Sequence, residues 1–182
     1  MNIFYLCDFN EPVSSVLRNK QILQKLGSVF VYGIEYNSLP YYVNDSTNQY
    51  IIDHKIDLIV GVGMAAYYAA KVAYDTGVMF VMCNPIIDAP IDLSKLSHDE
   101  FIEEYIELSK HNKGLILLDA GADGSYTNEI QSHLGEYYYC HLFGDRSKKL
   151  VNLDNQRTFD HLDDALDTII NHVRLVEDAN GL

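Results

Sequence analysis

The sequence predicts an α/β domain in three layers, helices covering both faces of a mainly parallel sheet. Two observations carry that reading. Short apolar runs rich in β-branched and aromatic residues recur along the chain, and each is followed by a segment with helical apolar spacing. One unit between residues 56 and 73 spells the pattern out: an apolar run Ile56-Asp57-Leu58-Ile59-Val60, a glycine turn Gly61-Val62-Gly63-Met64-Ala65, and an alanine-rich stretch from Ala66 to Ala73.

Taken in order, Asn2-Ile3-Phe4-Tyr5-Leu6-Cys7 is an apolar strand suited to the inside of a parallel sheet. Asn10 caps a helix with Pro12 in its first turn, along which Val13, Val16, Leu17, Leu23 and Leu26 recur at helical spacing before Gly27 closes it. Ser28 to Tyr32 is a second strand, and Gly33 to Asn44 is a loop with Leu39-Pro40 as a breaker. Asp45 caps a helix through Tyr50-Ile51-Ile52. After the 56–73 unit comes the strand Val78 to Cys83, then an irregular stretch from Asn84 to Leu96 carrying Pro85 and Pro90. Ser97-His98-Asp99-Glu100 has the spacing of a capping box. Leu115 to Asp119 is a buried strand, followed by the loop Ala120-Gly121-Ala122-Asp123-Gly124 and a short helix around Asn128 to Leu134. Tyr137 to Leu142 is the last strand, and the last helix begins near Asp160 with Leu162, Leu166, Ile169, Ile170 and Val173 on one face, its tail fraying after Val176.

Length and charge bound the function. A chain of 182 residues with 48% hydrophobic content fits a single domain, residues 1–182, with a sizeable core. Its net charge of −13 argues against nucleic acid and against anionic membranes, both of which select basic surfaces. No targeting segment and no run long enough to span a bilayer is read. Cys7, Cys83 and Cys140 are far apart, show no metal spacing and sit at or near strand ends, so a reducing, cytoplasmic setting is expected. The seven histidines lie on separate elements, and no metal site is expected.

The loops at the carboxyl ends of the strands converge on one edge, where ligands bind in such folds. The glycine turn there satisfies two grammars. Gly61 and Ala65 meet the steric needs of a Gly-x-Ser-x-Gly nucleophile turn, but its central position is Gly63, which has no side chain to attack with. Gly61, Gly63 and Ala66 also satisfy Gly-x-Gly-x-x-Ala, the weaker pattern of a dinucleotide site. That pattern expects an acid at the end of the next strand, where Asn84-Pro85 stands instead.

The turn Gly61-Val62-Gly63-Met64-Ala65-Ala66-Tyr67-Tyr68-Ala69 and the Asn84-Pro85 strand end resemble the small α/β-hydrolases of the YqiA-like esterase family, and the order of the loops is similar over nearly the whole chain. The resemblance implies an α/β-hydrolase-like fold. It puts Tyr5-Leu6-Cys7-Asp8-Phe9-Asn10 at the loop that helps form the oxyanion hole and Gly63 at the nucleophile. It puts Ala122 at the acid position with Asp123 beside it, and Gln156 at the histidine position. Nucleophile, acid and base therefore all depart from the family pattern, so no serine-hydrolase activity is expected.

The expected function is non-catalytic binding of a small molecule or a protein partner over the same edge, with no cofactor. Cys7, Asp8, Phe9, Gly63, Met64, Ala65, Asn84, Pro85, Asp123 and His161 are the candidate ligand contacts, and the N–H groups of Met64 and Ala65 at a helix start suit an anion. The competing reading is a hydrolase with Cys7 or a loop serine as nucleophile and His161 or His141 as base. A nucleotide-binding domain is the third.

Overall fold

The computed structural model describes residues 1–8, 11–33, 40–87, 97–110, 114–119, 124–144 and 159–180. Six strands, β1 (Asn2–Cys7), β2 (Ser28–Gly33), β3 (Leu58–Val62), β4 (Met79–Cys83), β5 (Leu115–Asp119) and β6 (Tyr139–Phe143), form one sheet in the order β2-β1-β3-β4-β5-β6. Every pairing is parallel. The helices between them are α1 (Val13–Leu23), α2 (Pro40–His54), α3 (Ala65–Thr76), α4 (His98–Leu108), α5 (Gly124–Leu134) and α6 (Leu166–Asn180). No described helix is long and apolar enough to cross a membrane.

Strand alternation sorts the core into two layers. Phe4, Leu6, Ile59, Phe80, Met82, Ile116 and Leu118 face a cluster with residues of α2, α3, α4 and α5. Ile3, Tyr5, Leu58, Val60, Val62, Val81, Leu115 and Leu117 face a second cluster containing Leu23 of α1 and Ile169 and Val173 of α6. The three-layer expectation therefore holds. The strand order reverses direction between β1 and β3, because the chain moves outward to β2 and then crosses back to β3; such a switch point opens a crevice at the carboxyl ends of those two strands.

Several element boundaries differ from the sequence reading, each for a local reason. The chain at Leu39-Pro40 does not break there: α2 begins at Pro40 and runs through Asp45, since a proline in the first turn gives up no hydrogen bond. β3 ends at Val62 rather than Val60, so Gly61 belongs to the strand, and its missing side chain lets α3 lie against it. α5 begins at Gly124, and α6 continues past Val176 to Asn180. α1 is capped by Pro12 without a side-chain bond, while Asn10 lies outside the described residues. The α1 stripe is the larger correction. Leu23 is buried and Val16 and Leu26 pack against the same core as expected, but Val13 and Leu17 are exposed and polar Ser15 and Asn19 are buried in their place.

Ser97 and Glu100 close the expected capping box at the start of α4, Ser97 Oγ accepting from the Glu100 N–H while Glu100 Oε2 accepts from the Ser97 N–H at 2.7 Å. Tyr67 and Tyr68 are buried packing residues of α3, and the Tyr67 hydroxyl donates to Glu104 Oε1 at 2.7 Å, which also pairs with Lys71. β6 begins at Tyr139 rather than Tyr137, and in the turn before it Tyr138 is buried and bonds the Tyr105 carbonyl, while Tyr137 and Tyr139 are exposed.

Candidate functional site

The crevice at the switch point is built from the ends of β1 and β3. Gly63, one residue beyond β3, has φ of +61°, a conformation that costs an L side chain about 1–2 kcal/mol and glycine almost nothing. The sharp turn is fixed on both sides: the Gly63 N–H donates to the Cys83 carbonyl at 2.9 Å, and the Gly63 carbonyl accepts from Ala66 at 3.2 Å and Ile86 at 3.3 Å. α3 then starts at Ala65, packed directly on the strand it leaves. A methyl group on Gly61 would stand 2.6 Å from the Ala65 carbonyl oxygen and 2.8 Å from Ala69 Cβ. The small residues of the turn are thus demanded by the approach of helix to strand.

The N–H of the residue after the nucleophile is one arm of the oxyanion hole in a hydrolase turn. The resemblance puts Met64 at that position, and its N–H donates to the protein's own Asp8 Oδ2 at 3.3 Å. Asp8 follows β1 and is 3% exposed. The expectation that Met64 would present its N–H to a ligand's anion is corrected accordingly: an internal carboxylate already stands there.

Glu11, which the sequence reading did not single out, lies beside it. The Glu11 N–H donates to the Asp8 carbonyl at 2.9 Å. Its Oε1 accepts from Tyr5 at 2.7 Å, Asn19 at 3.1 Å and Ser15 at 3.2 Å, and among the described residues its buried Oε2 has no partner. Burial, reinforced by the negative charge of Asp8, raises the Glu11 carboxyl above the usual carboxylate range, against the lowering pull of the Tyr5 and Ser15 bonds. The polar stripe Glu11, Ser15, Asn19 at four-residue spacing was the available signal, and it explains why α1 turns polar side chains inward.

Further along the edge, Asn84 follows β4 with φ of +45°, which asparagine tolerates better than most residues. Its N–H donates to the Leu117 carbonyl at 2.9 Å and its Oδ1 accepts from the Asp119 N–H at 2.8 Å, tying the ends of β4 and β5 together. Pro85 behind it is buried. Asp119 ends β5, and the imidazole Nε2 of His161 lies 3.6 Å from Asp119 Oδ1 while Nδ1 lies 3.0 Å from Asp164 Oδ2. That is ion-pair reach, longer than a hydrogen bond for the Asp119 contact. Gly144, after β6, admits the ring: a Cβ there would be 2.7 Å from His161 Nε2. The turn carrying His161 is anchored by buried Phe159 and Leu162 and by α1, from which Arg18 donates to the Phe159 carbonyl at 3.2 Å and pairs with Asp160 at 2.8 Å.

The fold thus gathers Asp8, Glu11, Gly63, Met64, Asn84, Asp119 and His161 along the carboxyl edges of β1, β3, β4 and β5. His161, a candidate ligand contact placed in the last helix by its predicted start near Asp160, instead precedes α6 and meets two acids. Asp119 was read only as a strand end. Phe9, Ala122, Asp123 and Gln156 lie outside the described residues.

The relocated-nucleophile reading meets an obstacle at Cys7. The thiol accompanies the strand end as expected, its Sγ 3.5 Å from the Tyr32 carbonyl, but burial and the nearby Glu11 carboxylate push it up to about 11. A shift of that size leaves about a hundredfold less thiolate than an ordinary cysteine has at neutral pH. Iodoacetamide at pH 7 is therefore expected to leave Cys7 unmodified over the time in which free glutathione reacts fully, as read by peptide mass spectrometry; rapid, selective alkylation of Cys7 would contradict this. His141 is exposed on β6, near His172 rather than with Cys7.

Comparison with known proteins adds the fold. No family model and no curated protein matches the sequence. Among solved structures, Est1E from Butyrivibrio proteoclasticus aligns with a TM-score of 0.63 over 95% of this chain and 88% of its own, at 8% identity. The esterase domain of a Rhodothermus marinus protein aligns with a TM-score of 0.61 over 94% and 86%, at 12% identity. This chain has an esterase-like α/β-hydrolase fold. A carboxylesterase of the thaumarchaeon Nitrososphaera gargenis aligns similarly, with a TM-score of 0.58 over 98% and 92% at 10% identity. The turn at Gly63 follows the third of the described strands rather than the first, and the sheet order differs from the 3-2-1-4-5-6 of a dinucleotide-binding fold.

Proposed function

We propose that this chain is a divergent YqiA-like member of the esterase fold that does not hydrolyse esters at residue 63 and instead binds a small polar molecule across the carboxyl edge. The observation that carries the reading is the pairing of a side-chain-free Gly63 with an Asp8 carboxylate on the Met64 N–H. An acyl-transfer reaction develops negative charge at that N–H. A resident carboxylate repels the charge, and nothing at residue 63 initiates it. Asp119 and His161 bring an acid and a polar ring to the same edge, and both imidazole nitrogens face carboxylates, Asp119 at 3.6 Å and Asp164 at 3.0 Å, so the ring is held for recognition rather than aimed at a nucleophile.

The acidic character of the edge sets the ligand class. Asp8 and Asp119 bring acceptor oxygens to this edge, so the favoured ligand carries donors, an amine or a polyol, rather than a carboxylate. With Cys7, Cys83 and Cys140 as free thiols, the protein is proposed to work in the cytoplasm. The test is ligand-observed NMR with a library of small amines, polyols and carboxylic acids on wild type and on Asp119→Asn and His161→Ala. Amines or polyols should bind wild type and lose signal with both variants. Hits confined to carboxylic acids, or hits that both variants retain, would contradict the proposal.

A further inference from the structure

We propose that His98, Glu129 and His133 bind a divalent transition-metal ion of the zinc class between α4 and α5. Sequence spacing gave no hint of it, because His98 stands at the start of α4 and the other two on α5. Glu129 and His133 are four residues apart, which puts both on one helix face one turn apart. Packing of α4 against α5, through Phe101, Tyr105 and Ile130 in the shared core, brings His98 onto that face. His98 Nε2 lies 3.3 Å from Glu129 Oε1, the His98 and His133 rings meet edge to face at 6.2 Å, and one ligand atom from each of the three residues lies within 4.8 Å of the other two.

Zinc bonds to imidazole nitrogen and carboxylate oxygen are about 2.0–2.2 Å, so tetrahedral ligand atoms stand about 3.4 Å apart. The His98–Glu129 pair already has that separation. His98 and Glu129 are 36% and 43% exposed, so an ion reaches them from solvent and small χ rotations draw His133 in. Two imidazoles and one carboxylate select zinc, copper(II), nickel or cobalt over magnesium and calcium, which prefer oxygen alone. The net charge of −13 concentrates cations at the surface. Three protein ligands leave a fourth position to water, and the ion would fasten the two helices whose connecting loops leave the ends of β4 and β5. The inference does not depend on the proposed edge site, since it uses different residues.

The experiment uses the full chain without a polyhistidine tag. Equilibrium dialysis against zinc chloride should give one equivalent bound, cobalt substitution should give visible absorption of a tetrahedral nitrogen–oxygen site, and zinc a hundredfold above its Kd should raise Tm by about 5–10 °C. His133→Ala should weaken zinc binding at least about tenfold, and His98→Ala combined with His133→Ala should abolish both the binding and the Tm rise. These side chains lie at the surface, so far-UV circular dichroism of the variants should match wild type. Absence of stoichiometric zinc binding by wild type, or equal binding by the double variant, would overturn the proposal.

Discussion

Replacing Gly61 by alanine is expected to cost about 3 kcal/mol of folding stability and lower Tm by roughly 6–12 °C. The added methyl would meet the Ala65 carbonyl oxygen at 2.6 Å, Ala66 Cα at 2.8 Å and Ala69 Cβ at 2.8 Å. None of these is the far end of a flexible side chain. Relief requires α3 to move off the sheet, and α3 is buried at Ala65, Ala66, Tyr67, Tyr68, Ala69, Ala70, Val72 and Ala73. Gly61→Val enlarges the collision and is expected to prevent soluble expression. Gly77 provides the contrast: it caps α3 with φ of +74° and a Cβ there meets nothing within 4 Å, so Gly77→Ala carries only the conformational cost of about 1 kcal/mol. Urea unfolding of both variants separates crowding from backbone strain. Equal losses would mean that the strand and helix are not held as closely as described.

Removing the Glu11 side chain is expected to cost about 3 kcal/mol, because Glu11→Ala takes the shared acceptor from Tyr5, Ser15 and Asn19 in one step. Glu11→Gln keeps an oxygen acceptor and should stay within about 1 kcal/mol of wild type at neutral pH. The two variants also separate charge from hydrogen bonding. Burial raises the Glu11 pKa in the folded protein, so between the ordinary carboxylate value and the raised one the folded state holds more protons than the unfolded state. Stability from this group is therefore full at low pH, falls as pH rises across that window, and stays level above it. The difference in unfolding free energy between wild type and Glu11→Gln, measured by urea denaturation across that window, should move in favour of the variant as pH rises. A difference independent of pH would contradict the account of Glu11 as a carboxyl that resists ionisation.

The sequence made the sheet readable because buried parallel strands are short unbroken apolar runs. Leu115 to Asp119 was placed without error, and Asn2 to Cys7 likewise. The α1 stripe was half legible: Val16, Leu23 and Leu26 pack inward, but Val13 and Leu17 do not, because polar Ser15 and Asn19 share the inward face, their burial depending on a carboxylate that only the tertiary structure brings there. Pro40 misled in the other direction, as proline both ends and begins helices.

The site was partly readable for similar reasons. Gly63, Met64 and Asn84 sit at strand ends and could be placed by the strand–turn–helix pattern alone. Asp119 and His161 could not be paired, because their contact joins positions 42 residues apart in sequence through a turn anchored by α1. The resemblance directed attention to Ala122 and Asp123, three and four residues beyond the acid that meets the histidine. On sequence Asp8 is a candidate ligand contact, and its acceptance of the Met64 N–H joins positions 56 residues apart, beyond the reach of local pattern.

Incubation with an activated fluorophosphonate followed by intact mass analysis tests the central proposal, that the turn at Gly63 carries no nucleophile. The account predicts an unchanged mass under conditions in which a competent serine esterase is labelled completely. One equivalent of phosphonyl adduct, mapped by peptide sequencing to any residue at this edge, would contradict it.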